Sequence, residues 1–213
     1  ESVLGQTYQD FEIVIINDGS TDNTDQVLVP FLTDERIRYI KQVNAGQAKA
    51  KNVGIEHARG ELIAFLDADD LWEATKLEKQ LPRFDDVQVG VVYSGARYVD
   101  DQGQDVPFAH HSTYLQPRSG IVTQNLFFDN FIPFSSSIVR KMCFDDVGLF
   151  DESIRMGIDW DLWLRISVRY RFAYVDEPLL YYRIGHPGQM SKNLDVRQEC
   201  SDRIMARFLD LNP

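Results

Sequence analysis

Two short apolar runs in this chain end in carboxylates. Residues 11–16 (Phe-Glu-Ile-Val-Ile-Ile) lead into Asn17-Asp18-Gly19-Ser20, and residues 62–66 lead into Asp67-Ala68-Asp69-Asp70. In open α/β sheets, ligands gather beyond the carboxyl ends of the strands. If both runs are strands of one layer, Asp18, Asp67 and Asp69 surround one crevice. A divalent cation held there would let an acidic protein bind a phosphate. An Asp-x-Asp alone is common, and Asp18-Gly19 alone is an ordinary turn pair, so the convergence carries the weight. A calcium loop starting at Asp18 is excluded, because position six is Asn23 and position twelve is Val29.

The elements that must position these side chains follow from periodicity. Residues 11–16 form a nearly continuous β-branched run, the pattern of a buried parallel strand. A helix capped by Thr21 or Asp22 should follow, with Val27, Leu28, Phe31 and Leu32 as its apolar stripe, and then a second strand over 37–40. Residues 46–59 carry Ala50, Val53, Gly54 and His57 at helical spacing and end at Gly60. A third strand spans 62–66. Asp70 and Glu73 match a capping box that would open a helix over 71–84. Strand and helix thus alternate three times, which predicts an α/β domain with a mostly parallel sheet flanked by helices. Past Val87 the regularity drops. Strands are expected at 89–93, 135–139, 172–175 and 180–183, and helices at 158–170 and 196–211.

Four segments, in order, resemble family 2 glycosyltransferases of the GT-A (nucleotide-diphospho-sugar transferase) fold. They are residues 2–13 with Asn17-Asp18-Gly19-Ser20-Thr21-Asp22; Asn44-Ala45-Gly46 with Lys51-Asn52; Phe65-Leu66-Asp67-Ala68-Asp69-Asp70; and Ile158-Asp159-Trp160-Asp161-Leu162-Trp163-Leu164-Arg165. The resemblance implies transfer of a sugar from a nucleoside diphosphate sugar, taken as UDP-linked, to a hydroxyl of a glycan, lipid-linked or other acceptor. It implies that Asp18 meets the base or ribose, Lys51 the base or diphosphate (where the family usually has Arg), and Asp67 the ribose or donor sugar. Asp69 would ligate Mn²⁺ or Mg²⁺, and Asp159 would be the general base of an inverting displacement. Trp160 and Trp163 could offer a flat face to an acceptor sugar, although their spacing equally fits a core. The segment Tyr182-Arg183-Ile184-Gly185-His186-Pro187-Gly188-Gln189-Met190-Ser191 is similar to the family's loop after the last strand, which makes His186 a metal ligand and Ser191 a phosphate contact. Ile158 stands where the family commonly has Glu. No Gln-x-x-Arg-Trp run is present, which counts against a processive polysaccharide synthase.

The expected organisation is one GT-A domain over 1–213. Residues 1–86 hold the nucleotide sugar, 87–192 face the acceptor, and 193–213 form a closing helix. Residues 1–7 read as the end of a helix, and a right-handed βαβ unit would need a strand before it, so a first strand is expected to be missing.

A net charge of −11 without a basic stripe argues against nucleic acid as a partner. Cys143 and Cys200 lack metal-ligand spacing, which suits a reducing compartment. No apolar run approaches the roughly 20 residues of a membrane span, so a cytoplasmic protein, peripheral at most to the inner membrane face, is expected. Two other functions fit parts of the pattern. A sugar nucleotidyltransferase would turn over nucleoside triphosphates, and a non-catalytic nucleotide-sugar or glycan binding module would have no use for Asp159.

Overall fold

The first apolar run forms β1 (Ile13–Asp18), which pairs in parallel with β2 (Ile37–Gln42) so that Asp18 lies opposite Gln42. The coordinates are a computed structural model that describes residues 1–107, 117–185 and 194–212. Between the two strands lie helix α1 (Thr24–Leu28) and a 3-10 turn (Val29–Phe31), neither of which buries a side chain. The apolar stripe expected here is therefore open, with Val27 54% and Leu32 41% exposed. Helix α2 (Gln47–His57) packs against β1 and buries Ala48, Asn52 and Ile55.

A second sheet has the order β3 (Leu62–Ala64), β6 (Ile138–Arg140), β5 (Val89–Val99), β7 (Arg171–Arg183) and β4 (Leu71–Trp72). Within it only β5 and β7 run parallel; β3 with β6, β5 with β6, and β4 with β7 are antiparallel. The sheets are thus mixed, and the mostly parallel order expected from the alternating pattern holds for two pairings only. Alternation predicts parallel pairing where a helix crosses between adjacent strands. Here the neighbour of β3 is β6, more distant in the chain, so the local pattern says nothing about their direction.

β7 is a single strand where two were expected. Its pairing with β5 shifts register around Gly95, which faces Pro178, and this irregularity absorbs the proline that a regular ladder would reject. The helix expected over 71–84 is also divided. Leu71 and Trp72 pair with Tyr181 and Leu180, and only then do α3 (Lys76–Gln80) and a 3-10 turn (Leu81–Asp85) follow.

The remaining elements are α4 (Thr123–Phe128), a 3-10 turn (Phe134–Ser136), α5 (Lys141–Val147), α6 (Ile158–Ser167) and α7 (Leu194–Leu211). Helix α6 is the centre of the larger core. Its Leu162, Trp163, Leu164 and Ile166 are buried against Tyr93, Val139, Phe172 and, from α7, Ile204. Each such side chain contributes about 1.5–3 kcal/mol by leaving water, so α6 is fixed tightly and the residues of its first turn inherit that rigidity. Among the described residues, no helix is long and apolar enough to cross a membrane.

Candidate active site

At the end of β1 the chain turns through Gly19 with φ +77°, where a Cβ would stand 2.8 Å from the backbone nitrogen of Asn44. Only glycine allows that approach, which brings the turn before α2 up to the Asp18 carboxylate. Asp18 Oδ1 accepts from Gln42 Nε2 (2.7 Å) and the Ala45 amide (2.8 Å), and Oδ2 accepts from the Gly46 amide (2.9 Å). Asp18 therefore shapes the entry to the helix that carries Lys51. From α2, Lys51 Nζ donates to Asp67 Oδ1 at 3.0 Å and lies 4.7 Å from the centre of the Phe134 ring.

The loop after β3 is held from two sides. Its Asp67 amide donates to Ser135 Oγ (3.0 Å), the Asp70 amide closes a turn onto the Asp67 carbonyl (3.1 Å), and the Trp72 indole donates to the Ser135 carbonyl (2.7 Å). Asp70 does not cap a helix. Its buried carboxylate accepts the Arg183 amide at 3.0 Å, and Arg183 Nε donates to the Asp69 carbonyl at 3.0 Å, tying the loop to the end of β7. Glu73, the other half of the expected capping box, instead accepts the Tyr181 hydroxyl. Burial pushes the Asp70 carboxyl up to about 6, against the opposing hydrogen bonds from Ser135 and Arg183.

Gly157 (φ +79°) is the left-handed residue that precedes α6, and Asp159 lies in the first turn. The Asp159 carboxylate accepts Asn130 Nδ2 at 2.7 Å. Desolvation raises its carboxyl above the ordinary value, while the bonds from Asn130 and from backbone amides, and the charge of Lys51, pull the other way. The phenol of Tyr182 is raised chiefly by burial, and then by the charges of Asp70, Asp67, Asp159 and Asp69. One phenol on β7 thus feels the loop after β3 and the first turn of α6 together.

Lys51, Asp67, Asp69 and Asp159 are accordingly within electrostatic reach of one another or of Tyr182, while Asp18 holds the turn that leads into the helix carrying Lys51. Trp160 is half-buried against the core, with its indole N–H donated to the Leu126 carbonyl, and Trp163 is fully buried. The core reading of that pair holds for Trp163. His186 and Ser191 lie outside the described residues. Among the described residues no group of three His, Cys, Asp or Glu side chains forms a closed metal site. The hard carboxylate oxygens of Asp69 are of the kind that suits a cation taking its other ligands from phosphates and water.

Sequence reasoning passed over Asn130, which sits in an irregular segment without telling spacing, and expected Ser135 to start a strand, whereas that residue lies in the 3-10 turn before β6. It placed Tyr182 and Arg183 at the end of a strand and in the segment resembling the family's last loop, without a role of their own; that position, at the carboxyl edge of a parallel neighbour, was the available signal.

Comparisons with known proteins agree with this geometry. The model of glycosyl transferase family 2 matches residues 1–148. A glycosyltransferase of Rickettsia conorii described as uncharacterized is 33% identical over 210 residues, covering 98% of this chain and 35% of that protein. Among solved structures, TarS (residues 1–349) of S. aureus in complex with UDP-GlcNAc superimposes with a TM-score of 0.73 at 20% identity, over 98% of this chain and 66% of that one. The mannosyltransferase PcManGT of Pyrobaculum calidifontis, in complex with GDP-Man and Mn²⁺, gives 0.75 at 18%, over 98% and 58%. These two likenesses establish the GT-A fold. The chain spans about a third of the length of the first curated relatives that it matches. With the carboxylates gathered at the strand ends and the family match running from residue 1 through α5, the chain belongs to glycosyl transferase family 2.

Proposed function

We propose that this chain moves one sugar from a nucleoside diphosphate sugar, a UDP-sugar, onto an acceptor hydroxyl with inversion at the anomeric carbon. The observation that carries the reading is the position of Lys51, which bonds Asp67 and whose charge acts on Asp159, so that a donor-side and an acceptor-side carboxylate share one cation.

A carboxylate has about four lone-pair sites. Three of those on Asp18 take N–H donors from its own chain, which leaves one for the ribose or base. Lys51 offers its positive charge to the diphosphate. Asp67 faces the donor sugar or ribose. Asp69 would hold Mn²⁺ or Mg²⁺, with His186 as a further ligand; that ion supplies charge neutralisation for the departing diphosphate. Asp159 takes the proton of the attacking hydroxyl, a task favoured by a carboxyl raised above its ordinary value. Trp160, adjacent to it, is left only its ring for contact with an acceptor sugar, since its N–H is committed. In this scheme residues 1–86 are the donor half, 87–192 the acceptor half and 193–213 the closing helix. The structural neighbours, one with UDP-GlcNAc and one with GDP-Man and Mn²⁺, support a nucleotide-sugar donor and a divalent ion. A lipid-linked acceptor would place the reaction at the cytoplasmic membrane face.

The test is turnover of UDP-GlcNAc, UDP-glucose and GDP-mannose with Mn²⁺, read as nucleoside diphosphate released and sugar transferred to an oligosaccharide pool. Asp159→Ala should lower transfer by about 10²–10⁴-fold and leave Mn²⁺-dependent donor binding intact; transfer at the normal rate would remove Asp159 as the base. Asp69→Ala should weaken donor binding only when Mn²⁺ is present.

A further inference from the structure

The Asp159 carboxylate has a side-chain partner whose own bonding is lopsided. Asn130 sits just beyond α4 and is followed by Phe131 and Ile132, which are buried at 7% and 3% exposure and anchor the segment in the core. Helices α4 and α6 pack together, and the Trp160 indole bond to Leu126 pins the same pair. Asn130 Nδ2 donates to Asp159 Oδ2 at 2.7 Å. An ionised carboxylate can only accept, so the amide must turn its N–H₂ toward it. Its carbonyl Oδ1 is then enclosed with no hydrogen-bond partner among the described residues.

Asn52 shows what an asparagine does when its work is structural. It donates to the Phe150 carbonyl and accepts the Phe150 amide, both at 3.0 Å, and donates again to Glu152. Both ends of that amide are satisfied. Asn130 leaves one end unpaired, an arrangement that native structures rarely keep without a reason.

We infer that Asn130 is a positioning residue for the reaction: its amide fixes the orientation of the Asp159 carboxylate and keeps it ionised. This rests on the assignment of Asp159 as the base. The groups facing Asp159 are Lys51 from α2, whose charge favours the ionised form, and Tyr182 from β7, which also faces Asp67, Asp69 and Asp70. The backbone N–H groups of Asp159 and Trp160 in the first turn of α6 also favour the charged form. Enclosure opposes all of these, so the loss of one donor moves the balance toward the protonated acid. The sign is fixed: a bond to the charged form lowers a carboxyl pKa, and its removal raises it.

The experiment follows the Asp159 carboxyl by carbon-13 NMR in protein labelled at aspartate, with the Asp159 signal assigned by its disappearance in Asp159→Asn. In Asn130→Ala its titration midpoint should rise by about one pH unit, the worth of a hydrogen bond to a charged group. In Asn130→Asp, close in shape and so tolerant of the fold, a second carboxylate should raise the pair's upper midpoint further. An unchanged midpoint in folded Asn130→Ala and Asn130→Asp overturns the proposal, because a purely structural role would move thermal stability and not this titration. If the midpoint rises while Asp159→Ala still transfers sugar, the pairing stands and the base assignment is what fails.

Discussion

In the layer formed by β1, α1 and β2 the ordered contacts are polar. Asn17 donates to Asp25 (3.0 Å) and Tyr39 (2.6 Å), Lys41 pairs with Asp25, and Arg36 forks onto Asp34. The one buried residue of these three elements is Asn17. In the five-stranded sheet the contacts are apolar, with Val91, Tyr93 and Val139 fully enclosed in the cluster that holds α6 and Val92 enclosed in a second cluster with Trp72 and Ile138. The proposed site lies on the seam. Asp18 and Lys51 belong to the polar layer and its helix, while Asp67, Asp69, Asp159 and Asn130 belong to the packed body. On the proposed reading, donor recognition relies on bonds that water can replace, while the proposed base sits on a helix that the core holds still. Helix α2 joins the two, through Lys51 to Asp67 and Asn52 to Phe150.

The contrast can be broken most forcefully from the packed side. Trp163→Ala should cost about 3–5 kcal/mol of stability, because it empties the centre of the core cluster, and denaturant unfolding would measure it; a loss below about 1 kcal/mol would mean that α6 does not anchor the body. At the seam, Asn52→Ala should cost about 1–3 kcal/mol by orphaning the Phe150 amide and carbonyl. It should also raise the donor KM more than it lowers kcat, since Lys51 moves with the helix; equal changes in the two would show that α2 is not the joint. The smallest effect belongs to the polar layer. Asp25→Asn should shift the unfolding midpoint slightly at low salt, and the difference from wild type should vanish near 1 M salt as exposed charges are screened. A difference that survives high salt would mean that the layer rests on something other than charge.

The same contrast explains how much of the molecule its sequence discloses. β1, β2, α2, α6 and α7 follow from apolar periodicity and turn residues that lie next to one another in the chain. The strand at Leu71-Trp72 was hidden because Asp70 and Glu73 imitate a helix start, and only their partners more than a hundred residues away, Arg183 and Tyr181, show otherwise. β7 looked like two strands because Pro178 normally ends one, and the register shift opposite Gly95 that rescues it belongs to β5. Asp18, Asp67 and Asp69 were legible as strand-end residues, and Asp159 only through the resemblance of its helix. Asn130 was not, since its role exists only once α4 and α6 are packed.

Ser135 takes the Asp67 amide on its hydroxyl and the Trp72 indole on its carbonyl, so a single residue clips the acidic loop at both its beginning and its end. A loop already shaped in this way surrenders little conformational freedom when a ligand arrives. On the proposed function the acidic loop is a cradle that Ser135 holds in shape before the donor arrives.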